Sequence, residues 1–524
     1  MYYNKRGQRI NIANVNIDES LGGFDAVIGN PPWERVEVSD DDFFRPIYWQ
    51  QTRKAWSGLS KSLKEKFKNN VLKNTDLQCM YTNAKNHVMV LRKYFTKIYT
   101  AQGGGHAEMF KLFTEKSLSL LSKKSTLGLI IPSAIYSDVQ CAELRKILFR
   151  QTSVQHILSF INTKAIFKDV HRQYNFCVVI LHSGNSTQEF GLSYKLKNLS
   201  DIAKPPAVQV STQTIERTSG DSMAVLEANY TDYNLIKKMR LSPVLSSDQW
   251  NFISTVDFNM TIDKDLFKRQ KTKTRLPLYE GKTIAQFSIN GPIRYHIERD
   301  KGSKRLLDVE MSRISKMRKK FRWSVCPKPQ IDIDSYRLAW REVSNAVDYR
   351  TVYATILPRN VFHGHSLWTV KPNIISTTGH YNKQHTNYEL GYMCGLFNSL
   401  PFDWYMRRMV RLNITKTIMS KMPVPIFDAN NPNHMNISKL TWRLICVHDE
   451  YSEIKNQLKI DPIYTIEKRI QAEAQLSAYS AIIYNLDIVD LKYICKQFNV
   501  FISKRPTFME CVLEQYIALT KQTS

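Results

Sequence analysis

The 524-residue sequence lacks the features that would tie it to an oxidising compartment or a membrane. Its eight cysteines, at 79, 141, 177, 326, 394, 446, 495 and 511, include no Cys-x-x-Cys pair, which argues against zinc and against a disulfide framework. No apolar run approaches the roughly 20 residues of a membrane span. The start Met1-Tyr2-Tyr3-Asn4-Lys5-Arg6 has no apolar signal core behind it, so a reducing cytoplasm is the expected home and no membrane partner is expected. Glycine-rich turns are also scarce. The run Gly103-Gly104-Gly105 follows a basic helical segment rather than an apolar strand, and it reads as a loop. Negative charge is the last shortage: 47 acidic against 74 basic residues leave a net charge of +27. A small-molecule enzyme gains nothing from such an excess, whereas a protein closing on a polyanion neutralises phosphates and releases counterions.

What is present begins with Phe24-Asp25-Ala26-Val27-Ile28-Gly29-Asn30-Pro31-Pro32-Trp33. The apolar run suits a buried central strand, Gly29 permits a close turn, and two prolines then forbid both helix and ladder. Pro32 biases Pro31 towards an extended conformation, leaving the carbonyls of this corner free to accept from a ligand. Asn30 adds a side-chain acceptor and Trp33 a flat stacking face. Two acceptors and a stacking face fit an exocyclic amine: they hold its hydrogens, aim its lone pair and stabilise the charge developing on nitrogen.

In this setting Asn30-Pro31-Pro32-Trp33 resembles the catalytic motif of amino-group DNA methyltransferases, in particular the large adenine-specific ones of restriction-modification or phage-defence systems. The resemblance implies that the target adenine is flipped out of duplex DNA, that Asn30 and the Pro31 carbonyl hold its amine and that Trp33 stacks on it. It implies S-adenosylmethionine as methyl donor, with Asn30 at its edge, and no metal. It also implies a doubly wound α/β fold whose first strand ends in a glycine-rich cofactor turn. No such turn precedes Asn30 here, so the chain is expected to be the later part of such an enzyme, truncated or split, with an upstream polypeptide carrying the cofactor motif. The alternative is a DNA-binding specificity fragment without methylation activity of its own.

The expected fold is α/β: a partial doubly wound methyltransferase-like sheet, then an α+β target-recognition domain, then a helical C-terminal appendix. The first domain is expected over residues 1–183, with an insertion over 34–105. Within it, Ala107 to Leu121 reads as an amphipathic helix with Phe110, Phe113, Ser117, Leu118 and Leu121 on its buried face and Lys111 off it. Leu127 to Pro132, Val154 to Phe160 and Asn175 to His182 read as strands and Val139 to Arg150 as a helix, a parallel sheet closed by one antiparallel neighbour. The loop Asn162 to Tyr174 resembles the segment of the family that faces the flipped base, with Phe167, His171, Arg172 and Tyr174 as its base and DNA contacts.

After Ser183 the composition shifts to Gly, Asn, Ser, Thr and Gln, and a target-recognition domain is expected over 184–430. Two basic clusters there are candidate phosphate contacts: Lys268, Arg269, Lys271, Lys273 and Arg275, and then Lys316, Arg318, Lys319, Lys320 and Arg322 beside Trp323. Gly391 to Ser399 resembles a recurring helix of that domain. His363-Gly364-His365 reads as a surface loop, without a carboxylate or cysteine at metal-ligand spacing. Residues 431–524 are helical in pattern, with Ile470, Ala474, Ser477 and Ala481 at helical intervals.

Overall fold

Leu127, Leu129 and Ile131 are buried at every second position of one strand, with half-buried Gly128 and Ile130 between them, the period of two that a sheet imposes. The computed structural model describes residues 2–3, 9–10, 23–102, 107–250, 252–324, 326–344, 349–383, 385–410 and 413–521; the Gly103-Gly104-Gly105 run lies outside the described residues. The chain divides between Tyr230 and Thr231 into two compact units.

The first unit is organised on β1 (Phe24–Gly29), β2 (Leu121–Pro132), β3 (Thr152–Ile161), β4 (Asn175–Ser183), β5 (Glu189–Leu196) and β6 (Val208–Ser211). Their order in the sheet is β1-β2-β4-β3-β5-β6. β1 is parallel to β2 and β3 to β5, while β4 lies antiparallel between β2 and β3, and β6 is antiparallel to β5. β1, β2, β3 and β5 therefore run the same way. Their carboxyl ends share one rim, where ligands gather in open α/β sheets.

Between β1 and β2 the chain makes a helical excursion of α1 (Asp40–Thr52), α2 (Lys61–Val71) and α3 (Thr75–Ile98) around its own core of Phe44, Trp56, Val71 and Tyr81. Its two ends are pinned together, because Val36 N–H donates to the Ala107 carbonyl and Met109 N–H to that of Glu34, at 2.8 and 2.9 Å. The excursion thus closes on itself and returns the chain to the sheet. There α4 (Met109–Ser119) packs on β2 and α5 (Ala142–Gln151) on β3.

Four expectations need correction. Expected as a buried central strand, β1 lies at the edge of the sheet among the described residues: Phe24 is half-exposed and Ile28 is 87% exposed. Apolar composition cannot distinguish the two, since strand preference reflects neighbours as much as the residue itself. On α4 the buried face carries Phe110, Lys111, Leu112, Thr114 and Ser117, while Phe113 is exposed; Lys111 is tolerated inside because Glu108 lies 3.3 Å from its ammonium. The sheet does not end at Ser183. β5 and β6 extend it, and the first unit runs to Tyr230, so the polar stretch after Ser183 connects β4 to β5 on the two sides of β3 and is not a domain boundary.

The fourth correction is in the second unit, where the C-terminal helices are part of the core. α6 (Arg299–Phe321) follows a short strand pair, Arg275–Tyr279 and Tyr295–Glu298. Farther on come α7 (Asn387–Phe397), α8 (Pro432–Ile445), α9 (Ile466–Ile483) and α10 (Phe508–Lys521). α7 lies directly on α8: a Cβ at Gly391 would sit 2.6 Å from Ser438 Oγ, and one at Gly395 2.5 Å from Thr441 Oγ1. Only glycine permits that approach. Trp442 Nε1–H donates to the Asn387 carbonyl and the buried Tyr484 hydroxyl to that of Pro423, so the helices expected as an appendix complete one interior.

Candidate active site

β1 brings the chain to the carboxyl rim at Gly29, and the two prolines then carry it off the sheet. Pro31 is buried and Pro32 exposed. Asn30 is exposed, and neither its side chain nor the Pro31 carbonyl is consumed by a hydrogen bond among the described residues. Trp33 is half-buried and pinned to the neighbouring strand by its Nε1–H, which donates to the Ile130 carbonyl at 3.3 Å.

The indole is flanked by aromatics from the β3–β4 connection and from the start of β4. Tyr174 stacks on it with centroids 5.6 Å apart and planes 12° from parallel, Phe176 lies at 5.9 Å, and Phe167 meets it edge-on at 5.4 Å. Buried Leu158, Phe160 and Phe176 form the floor. Burial pushes the Tyr174 hydroxyl up from its ordinary value, so it stays a neutral phenol near pH 7.

This loop is held by a residue that sequence reasoning passed over. Asn162 is fully buried at the end of β3; its Nδ2 donates to the carbonyls of Phe167 and Val170, both at 2.8 Å, and its Oδ1 accepts from Phe167 N–H at 3.0 Å. One amide thus closes the loop. The available signal was an asparagine where a strand gives way to a loop, a residue that mimics backbone hydrogen bonding. His171 and Arg172 stand exposed on the same loop; His171 Nδ1 accepts from Gln173 N–H, and Arg172 donates to the Thr163 carbonyl. Of the candidates near the corner, the structure brings Trp33, Phe167 and Tyr174 into one cluster beside Asn30 and leaves His171 and Arg172 in solvent.

In the second unit Lys268, Arg269, Lys271 and Lys273 are exposed, whereas Arg275 is engaged by Glu298 at 2.6 Å. Lys316, Lys319 and Lys320 are exposed along the last turns of α6, and Arg322 follows as its left-handed cap. Arg318 donates to the Trp323 carbonyl, and Trp323 is buried against Gly379, so it is a wedge in the fold rather than an exposed partner of the cluster. His363 is not on a surface loop. It is fully buried between Asp257 Oδ1 at 3.3 Å and Thr369 Oγ1 at 2.9 Å, with Arg337 on the same carboxylate. Among the described residues no cluster of His, Cys, Asp and Glu could hold a metal ion, and no helix is long and apolar enough to cross a membrane.

Residues 80–167 match the Eco57I restriction-modification methylase family. The matched span runs from α3 through β3 into the loop that carries Phe167, and it begins downstream of Asn30. No curated protein matches the chain. Among solved structures the chain is similar to the Type IIL restriction-modification enzyme MmeI in complex with DNA, at 9% identity and a TM-score of 0.41, covering 95% of this chain and 60% of that one. It is also similar to the type IIG restriction endonuclease BpuSI, at 11% identity and a TM-score of 0.30 over 88% of this chain and 54% of that one. A nuclease-deletion mutant of the Type ISP enzyme LlaGI, in complex with a DNA substrate mimic, is 11% identical with a TM-score of 0.34, over 96% and 52%. The chain thus spans between half and two thirds of the length of these proteins.

A methylase family implies a methyl donor. S-adenosylmethionine would need a glycine-rich turn at the end of a strand neighbouring β1, and among the described residues of the first unit no strand is followed by a Gly-x-Gly turn. The described residues therefore do not form its cradle. What they do form is an aromatic cluster around Trp33 beside an exposed Asn30.

Proposed function

We propose that the chain acts on DNA as the acceptor-holding part of an adenine-specific methyltransferase. The observation that carries this is convergence: Asn30 to Trp33 and the 162–174 loop lie far apart in sequence, yet Trp33 and Tyr174 stack in one aromatic cluster beside an exposed Asn30 amide that has no partner among the described residues. An adenine leaving the duplex would find π-faces for its ring and two acceptors for its amine, the Asn30 Oδ1 and the Pro31 carbonyl. As the amine nitrogen takes on positive charge its hydrogens become stronger donors, so these acceptors act most in the transition state. Pro31 and Pro32 contribute rigidity, Trp33, Phe167 and Tyr174 the walls, and His171 and Arg172 reach outward to the strands the base has left.

The family match over 80–167 supports a methylase of restriction-modification type, and the net charge of +27 supports a polyanionic substrate. In the second unit the exposed Lys268, Arg269, Lys271, Lys273, Lys316, Lys319 and Lys320, with Arg322, are the candidates for phosphate contact. In this reading the cofactor cradle comes from an upstream polypeptide; the second reading, a DNA-binding specificity fragment without methylation activity of its own, draws on the lack of a Gly-x-Gly turn among the described residues of the first unit.

Asn30→Ala is the test. In an assembly competent for methylation it should cut single-turnover methylation of an adenine-containing duplex by on the order of a hundredfold while leaving duplex affinity largely intact. Methylation at an unchanged rate would move the active site elsewhere. Calorimetric titration of the whole chain with S-adenosylmethionine tests the missing cradle, since tight binding by this chain alone would sink the split-enzyme idea, and methylation by the competent assembly excludes the second reading.

A further inference from the structure

β5 ends on the same carboxyl rim as β1, β2 and β3, and it ends irregularly. Its register against β3 slips between the pairs Leu158↔Ser193 and Phe160↔Leu196, an extra residue in β5, and Lys195 at that bulge has a φ of 58°. Few side-chain-bearing residues adopt that conformation, and bulges of this kind re-aim side chains beside functional sites. The outcome here is specific. Leu196 packs against the aromatic floor under Trp33, while Lys195 and Lys197 on either side of it are exposed.

Beside this bulge lies a cavity of about 320 Å³ lined by Ser193, Lys195, Lys197, Asn198, Asp201 and Lys204, among others. Lys164, at the start of the loop that carries Phe167 and Tyr174, reaches to it and donates to Asn198 Oδ1 at 2.8 Å. The one carboxylate in the lining is committed: Asp201 caps its own short helix and pairs with Lys204 at 2.7 Å. Lys195 and Lys197 have no carboxylate partner among the described residues, and Lys164 is held by a neutral amide, so the cavity carries an uncompensated positive charge.

We propose that this cavity seats the sugar-phosphate backbone of the DNA strand next to the base held at Asn30 to Trp33, with Lys195, Lys197 and Lys164 as its phosphate ligands. The inference rests on the acceptor-site reading above and extends it to a surface outside both basic clusters of the second unit. Four strand spacings separate the ends of β1 and β5, roughly 19 Å, which is about five or six nucleotides along one DNA strand. A backbone leaving the aromatic cluster would therefore pass the cavity within a few base steps. Lysine suits this task, because phosphate contact of this kind positions the strand without reading its sequence.

The test is amine-reactive footprinting of the full chain, read by mass spectrometry, with duplex DNA, with inorganic phosphate at matched ionic strength, and with neither. Lys195 and Lys197 should be protected by duplex and not by inorganic phosphate. Lys123 and Lys124, exposed at the amino end of β2 on the opposite rim, should react equally in all three. In a second arm, K195Q/K197Q should flatten the salt dependence of duplex affinity by roughly one to two units of slope, equally for all sequences, and K123Q/K124Q should leave it unchanged. If duplex binds while Lys195 and Lys197 stay fully reactive, the inference falls and the acceptor-site reading stands. Equal protection by inorganic phosphate would make the cavity a free-anion site and overturn the assignment to DNA. A chain that binds no duplex at all removes both.

Discussion

Replacing Asn162 with alanine should loosen the loop that walls Trp33 without unfolding the sheet beneath it. The side chain makes three hydrogen bonds, two from Nδ2 and one to Oδ1, and all three end on backbone groups of the 167–170 segment. At about 1 kcal/mol net for each, their loss lowers the free energy of opening the loop by about 3 kcal/mol. The backbone bond from Asn162 N–H to the Tyr174 carbonyl survives, so the ends of the loop stay joined. A change of that size corresponds to roughly a hundredfold in the opening equilibrium. Amide hydrogen exchange is the assay: Phe167 and its neighbours should exchange about a hundredfold faster in Asn162→Ala, while the amides of β2 and β4 keep their protection. Asn162→Asp should not rescue, because it restores the acceptor for Phe167 N–H but turns a carboxylate oxygen towards two carbonyls. Methylation should fall with loop order, since Phe167 and Tyr174 then spend less time against Trp33. If a folded Asn162→Ala protein exchanged its 163–174 amides at the wild-type rate, the loop would be held by something other than this side chain.

The second unit supplies two further tests. Gly395→Ala would place a methyl 2.5 Å from Thr441 Oγ1 and 2.7 Å from Ile437 Cγ2, so α7 and α8 must part; the expected loss is about 1–3 kcal/mol, read as a lowered urea midpoint, and an unchanged midpoint would show that the helices can separate freely. For Asp257 burial alone would lift the carboxyl, but His363 and Arg337 beside it outweigh burial and hold it well below the usual carboxylate range. A folded value below the unfolded one means a contribution fully present above about pH 4 and lost only as pH falls through the depressed value. Arg337→Met should then cost roughly 3–5 kcal/mol at pH 7 by stranding a buried charge, and a variant as stable as wild type in urea titration at pH 7 would refute this account.

How far the sequence could be read depended on whether a feature was local. β2, β3 and β4 were legible because burial on a sheet leaves a period of two, and the corner at Asn30 because two consecutive prolines admit few conformations. The helical pattern of 466–484 was visible for the same reason, with Ala474, Ser477 and Ala481 buried as their spacing required. Whether a strand lies at an edge is not local. β1 reads like a central strand and is exposed at Ile28, since nothing in Val27-Ile28 records how many neighbours the sheet supplies. Glycine spacing in Gly391-Tyr392-Met393-Cys394-Gly395 marked a helix worth noticing, but its reason lies in Ser438 and Thr441 on another helix.

Charge was legible in total but not in its placement. A net charge of +27 suits a polyanionic partner, yet clusters read along the chain mix exposed residues with structural ones: Arg275 belongs to Glu298, and Trp323 is a wedge against Gly379. The converse also holds. Lys164, Lys195 and Lys197 are too dispersed to count as a cluster, yet the bulge in β5 places Lys195 and Lys197 in the lining of one cavity and the 162–174 loop brings Lys164 onto Asn198 of that lining. A linear charge run reports on solvation, because consecutive side chains on a helix point in different directions, whereas a phosphate needs cations that converge. On the phosphate-site proposal, it is convergence at the sheet rim, and not the richest run of lysine in the sequence, that locates the contacts with a DNA strand.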